Sequence, residues 1–258
     1  MSSKLSVEVL QMILENVDTI SLATVCQVNR LCCACAQDVL YRNINIQSRN
    51  ALKVIRTLAQ STHLSRRVRS FSAMYIYKTN PRKAIVKALQ NMSSLRSLSL
   101  QVPPALYTSI LDVYTFKLDS FTFEFKSYEH EPLLKFLNSQ PSLTHLRLST
   151  FYDINIKVEA TCLPNLTWVS APFPWLPYLI PGRPVSEVNM LAHSIEHEDL
   201  TFFTHSAGPI QKLTTGIGCL YPKPVKHIAS AFPSLVHLCM CMHMDDDEEV
   251  RVSLSSFL

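Results

Sequence analysis

LTHLRL, Leu143 to Leu148, places apolar residues at its first, fourth and sixth positions. The last two alternate with polar neighbours, as residues do on a half-buried strand. The pattern recurs along the chain as VRSFSA (68–73), LRSLSL (95–100), LDSFTF (118–123), LTWVSA (166–171), VSEVNM (185–190), IQKLTT (210–215) and LVHLCM (235–240). First positions are thus Val68, Leu95, Leu118, Leu143, Leu166, Val185, Ile210 and Leu235, at intervals of 27, 23, 25, 23, 19, 25 and 25 residues. At 166, 185 and 210 the spacing carries the match more than the residues do.

Such a period belongs to leucine-rich repeats of about 20–29 residues. Each expected strand turns two apolar side chains into a common core and side chains such as Ser97, Ser99, His145 and Arg147 outward. Helical stretches lie between. NALKVIRTLAQ puts Leu52, Ile55, Leu58 and Ala59 on one face. PRKAIVKALQNM does the same with Ile85, Ala88, Leu89 and Met92, after Pro81 at a first helical position. EPLLKFLNSQPS and KPVKHIASAFPS repeat the rhythm of helix, Pro-Ser and strand. Each unit leaves an apolar face for its neighbour, so the expectation is an α/β solenoid over 47–258, a leucine-rich-repeat-like horseshoe with a concave binding face.

The preceding residues differ. In LSVEVLQMILENV, apolar positions Val7, Leu10, Ile13, Leu14 and Val17 follow helical spacing. Asp18 or Thr19 is placed to cap a second helix carrying Leu22, Val25 and Val28, and Asn29 to cap a third, RLCCACAQDVLYR. Three short helices over 1–46 are too few for a robust core, so this unit needs the solenoid or a partner.

Here the sequence resembles an F-box of the variety found in large fungal families. Leu5, Glu8, Leu10, Ile13 and Leu14 match its first helix, and Leu22, Ala23, Val25 and Cys26 its second. Val28, Asn29, Arg30, Ala34 and Ala36 match its third, followed by LYRNI, Leu40 to Ile44. The family usually has Pro after the first Leu, where this chain has Ser6. The resemblance implies an F-box over 1–46 docking onto the Skp-family adaptor of a cullin–RING ubiquitin ligase. It also implies that the repeats hold a substrate protein, and that the chain does no chemistry of its own. Docking then falls to Leu5, Val9, Leu10, Ile13, Leu14, Leu22, Val25 and Val28, a mixture of core and contact. A repeat scaffold whose F-box no longer docks is the alternative.

Composition sets further bounds. Only 4 glycines stand against 15 prolines, which excludes glycine-rich phosphate cradles. No apolar run approaches the ~18 residues of a membrane span, and Glu8, Gln11 and Glu15 break up any signal-peptide core. A cytoplasmic or nuclear protein with reduced thiols is expected, so the sequons at Asn91 and Asn165 are idle. Between Asp38 and Asp112 there is no acidic residue but half of the 24 basic ones. Arg49, Lys53 and Arg56 form one helical stripe and Lys83 and Lys87 another, a candidate face for an acidic partner. Nucleic acid is the weaker reading of the 42–96 block, because aromatic interleaving and a groove-reading motif are missing.

No cofactor and no metal are expected. Cys26, Cys32, Cys33 and Cys35 lack the paired C-x(2–4)-C spacing of structural zinc and read as small buried hydrophobes. Cys239, Cys241 and His243 share one face of an expected strand, but side chains about 6.5 Å apart do not close on one ion. His193 and His197 lack the H-E-x-x-H order and read as a solvated helix start with Glu196, Glu198 and Asp199. DDDEE (245–249) is expected to open a last helix, with Val250, Leu254, Phe257 and Leu258 covering the end of the solenoid.

Overall fold

The computed structural model describes residues 5–46, 51–73, 82–101, 110–112, 116–124, 131–149, 158–159, 161–191, 200–217, 228, 230–243 and 249–255. Arg49, Pro81, the 193–199 stretch and half of the expected helix at 223–234 lie outside these residues. The chain is α/β and forms two compact units. One comprises Met1–Gln101 with Asp112–Phe116, the other Val102–Leu111 with Lys117–Leu258.

The first unit opens with helices α1 (Val7–Leu14), α2 (Thr19–Val25) and α3 (Arg30–Arg42). Each starts where a short polar side chain accepts from free backbone N–H groups. Ser6 Oγ accepts from Val9 at 3.3 Å, Asp18 Oδ1 from Ile20 and Ser21 at 3.0 Å, and Asn29 Oδ1 from Cys32 at 2.8 Å. Their common core is small. Leu14, Leu22, Cys35 and Ala36 are fully buried, with Leu10, Val17, Val25, Cys26, Val39 and Leu40 packed around them.

From α3 the chain passes directly into β1 (Asn43–Ile46). Helices α4 (Ala51–Gln60) and α5 (Thr62–Ser65) lead to β2 (Ser70–Ala73), and α6 (Arg82–Asn91) to β3 (Ser97–Gln101). The strands pair in parallel, with Asn43 beside Ser70 and Ser70 beside Ser97. Ile55 and Leu58 of α4, Ile85, Ala88 and Leu89 of α6, and Phe71, Ala73, Leu98 and Leu100 of the strands are all buried. Asn91 locks α6 to α4, donating to the carbonyls of Leu58 and Ala59 at 3.3 and 3.1 Å.

The second unit contains β4 (Ser120–Glu124), α7 (Glu131–Asn138), β5 (His145–Ser149) and β6 (Trp168–Pro172). A 3₁₀ turn at Phe173–Trp175 and helix α8 (Leu176–Leu179) follow, then β7 (Glu187–Leu191), β8 (Lys212–Ile217), β9 (His237–His243) and β10 (Glu249–Ser255). β4 to β9 pair in parallel in chain order, and β10 returns antiparallel to β9. Phe121, Phe123, Leu146, Leu148, Val169, Ala171, Val188 and Met190 alternate inward along their strands. Phe136 of α7 meets Phe121 with ring centroids 4.8 Å apart.

Every one of the eight recurring segments forms a strand that begins two residues after its first apolar position, including those at 166, 185 and 210. Those first positions are buried except Leu235, which is half-buried. In the second unit the residue before each of β5 to β9 donates its N–H to its counterpart one repeat earlier. Thr144 donates to Asp119, Thr167 to Thr144, Ser186 to Thr167, Gln211 to Ser186 and Val236 to Gln211, at 2.8 to 3.0 Å. The short 19-residue interval matches the compact Pro-rich turn and α8, which stand in place of a full helix.

Two elements differ from expectation. β1 stands outside the eight expected strands, although Ile44 and Ile46 alternate in it. The expected last helix is instead strand β10, with Glu249 opposite His243 and Ser255 opposite His237. Val250, Val252 and Leu254 have period two and include β-branched residues, and the free edge of β9 supplies a ladder that a helix would leave open.

Candidate docking surfaces

Helix α1 is apolar on two sides, and its own chain covers one. Leu10, Leu14 and Val17 turn inward. Leu5, Val9, Met12 and Ile13, spaced at i, i+4, i+7 and i+8, are exposed at 55, 43, 66 and 50%. Beyond α1, Ile20, Val28 and Leu31 are exposed at 82, 66 and 48%. Among the described residues, every exposed large apolar side chain except Val236 lies between Leu5 and Leu31. Single exposed leucines are ordinary on a protein surface. A concentration on one small unit makes that unit a candidate contact surface.

The structure therefore divides the sequence-predicted docking residues. Leu14 and Leu22 are core, and Leu10 and Val25 are half-buried against it. Leu5, Val9, Ile13 and Val28 are exposed. Met12, Ile20 and Leu31 belong with them and were missed by the sequence reading. The signal for Met12 was the second apolar stripe of α1, which a search for a single inward face passes over; Ile20 and Leu31 stand on α2 and α3, outside that stripe.

Ser6 has φ −69° and ψ 155°, which lies within the range proline occupies. Serine and proline are thus alternatives on one backbone geometry here, and serine adds a side-chain cap.

The basic residues separate in the same way. Lys53 and Arg56 on α4 and Lys83 and Lys87 on α6 are exposed. Arg67 is engaged: it pairs with Asp38, donates to the Ala34 carbonyl at 3.1 Å, and lies 2.9 Å from His63 Nε2. It ties α5 to α3. Arg42 pairs with Glu15 and ties α3 to the end of α1. A shallow cavity of about 560 Å³ beside this network is lined by Asp38, Thr62, His63, Arg66 and Arg67.

The cysteines take packing positions. Cys35 is buried and Cys26, Cys32 and Cys33 are half-buried. Burial and the neighbouring Cys33 push the Cys26 thiol up, so it is held neutral. Among the described residues no three His, Cys, Asp or Glu side chains converge as a metal site requires. No described helix is long and apolar enough to cross a membrane.

On the sheet of the second unit, the face opposite the core is polar and varied. One row across the strands reads Ser120, His145, Trp168, Glu187, Lys212 and His237; the next reads Thr122, Arg147, Ser170, Asn189, Thr214 and Cys239. Glu187 and Lys212 pair at 2.7 Å. The rings of His145 and Trp168 stack with centroids 6.1 Å apart. No protein-family model matches the sequence, and no curated protein matches it.

Proposed function

We propose that this chain is the substrate-recognition subunit of a Skp–cullin–F-box ubiquitin ligase. Helices α1 to α3 act as an F-box and dock a Skp-family adaptor, which links the chain to a cullin. The recurring strands act as a leucine-rich-repeat-like surface that holds a substrate protein. The chain itself catalyses nothing and works in the cytoplasm or nucleus.

One observation carries the reading: a three-helix unit with four fully buried core residues keeps Leu5, Val9, Ile13 and Val28 in solvent. These side chains are about half exposed, so burying the rest of each in a partner is worth about 1–1.5 kcal/mol, which offsets the exposure that a free protein tolerates poorly.

Co-expression with a Skp-family adaptor tests it. The intact chain is expected to co-purify with the adaptor, and Ile13→Asp to abolish the complex without altering the thermal unfolding of the free chain. Leu22→Ala is the contrasting variant, since it lowers stability by about 2–5 kcal/mol through a core cavity. If the adaptor never co-purifies, or Ile13→Asp leaves binding intact, the ligase reading fails and a non-ligase repeat scaffold takes its place.

A further inference from the structure

We infer that the sheet face around Arg147 and Trp168 binds an extended acidic peptide of a partner protein. A carboxylate would rest on Arg147, and an apolar side chain two residues away on Trp168. This deepens the receptor reading and rests on it, because it names what the repeat surface holds.

The argument begins with charge. Arg147 is exposed, and no carboxylate among the described residues pairs with it. Glu124 on the adjacent strand is registered against Ser149, whereas Arg147 stands opposite Thr122 and Ser170. The other charges on these rows, Glu187 and Lys212, satisfy each other. Among the described residues Arg147 is thus a planar fork of donors without a carboxylate partner, the geometry that suits an incoming carboxylate.

Beside it lies an apolar platform. Trp168 is half-buried and stacks on His145. The imidazole Nδ1 is already engaged by Thr144 Oγ1 at 2.8 Å, which holds the ring in place. Trp and Arg are the side chains most enriched at the energetic centres of interfaces. The floor supplies an independent sign. Ser170 is fully buried, and its hydroxyl has no hydrogen-bond partner among the described residues. Strand alternation sends it away from Val169 and Ala171 in the core, to the face that carries Arg147. A buried hydroxyl left unpaired is costly, and an anion seated on Arg147 offers it an acceptor.

Spacing sets the peptide. Arg147 and Trp168 are diagonal neighbours on adjacent strands, about 7–8 Å apart. Side chains i and i+2 of an extended peptide are about 6.6 Å apart on one side. Nucleic acid fits less well, because among the described residues of these two rows one unpaired arginine beside a neutralised pair does not follow a run of phosphates.

The experiment uses the full-length chain, with the adaptor if the complex forms, on an array of immobilised serine-based peptides. Each carries one Glu and one Leu at varied separation. The expected result is strongest binding with one intervening residue, loss when Glu becomes Lys, and about tenfold weaker binding for Arg147→Gln. Trp168→Ala should lose the preference for Leu, and Lys135→Gln, at an exposed lysine of α7, should change nothing. Absence of binding to every acidic peptide overturns the inference, as does an unchanged Arg147→Gln variant. Binding confined to arrays with phosphoserine in place of Glu, or to a labelled oligouridine, also overturns it and assigns the face to a phosphate ligand. Arg147→Gln should retain the adaptor. Adaptor binding without peptide binding therefore sinks this inference alone, and peptide binding without adaptor sinks the ligase reading alone.

Discussion

Arg183 is 1% exposed and meets no carboxylate in an ion pair among the described residues. Its guanidinium instead donates to four backbone carbonyls: Cys162 from Nε at 2.7 Å, Tyr178 and Pro181 from Nη1 at 2.9 and 3.0 Å, and Glu159 from Nη2 at 2.8 Å. Gly182 before it has φ 73°, a conformation that favours glycine and turns the chain to aim the side chain inward. Arginine is always charged, and its rigid fork reaches several acceptors at once. Arg183→Met should therefore lower stability by at least about 3 kcal/mol, because several buried carbonyls lose their donors together. Arg183→Lys should recover part of this but not all, since an ammonium is a point donor. Urea denaturation of the two variants measures both. Cys162 adjoins this cluster. Burial pushes its thiol up to about 11 from an ordinary 9.0, against the opposing pull of Arg183. Between those values the folded state holds a proton that the unfolded state has released. Stability from this group is constant below pH 9 and declines as pH rises from 9 to 11, by up to about 1.4 kcal/mol per pH unit. The Cys162→Ala variant should show a shallower decline across that window in parallel denaturation curves.

Among the elements, α1 is the most exposed to a single change. Its first turn rests on the Ser6 cap, so Ser6→Ala should cost about 1 kcal/mol of local helix stability. Ser6→Pro should cost less, because the backbone already has proline geometry and proline narrows the unfolded state. Hydrogen exchange of the α1 amides reports both, and the reverse order would show that the cap is not what starts the helix. The opposite end of the chain poses a different problem. β10 gives β9 a partner along its full length, from His237 to His243. Ending the chain before Asp245 should leave that strand edge unpaired and cause concentration-dependent association, measured by light scattering. Unchanged monomer behaviour would mean that β9 is protected in another way.

At the scale of the molecule, much was legible because burial and period coincide. The apolar positions Phe121 and Phe123, or Leu146 and Leu148, alternate for the same reason that they face one core, and their spacing along the chain is the spacing of the repeats. The cap Asn29 was readable from type and place alone, as was the strand that carries Cys239, and the choice between Asp18 and Thr19 falls to Asp18 in the fold. These are local preferences, and a linear sequence states them directly. Other features depend on which residues meet across distance. The outer stripe of α1 resembles a core stripe until one sees that no part of the described chain covers it. Arg183 looks like a surface charge until four backbone carbonyls close around it. The last segment carries spacings compatible with helix and strand, and the open edge of β9 decides between them. Arg147 is one of 24 basic residues by sequence, and register alone separates it from the acids that neutralise others. Period, caps and alternation thus belong to the chain as written, because each rests on neighbours in sequence. Exposure, pairing and the final strand belong to the folded molecule, because each depends on what stands opposite in space.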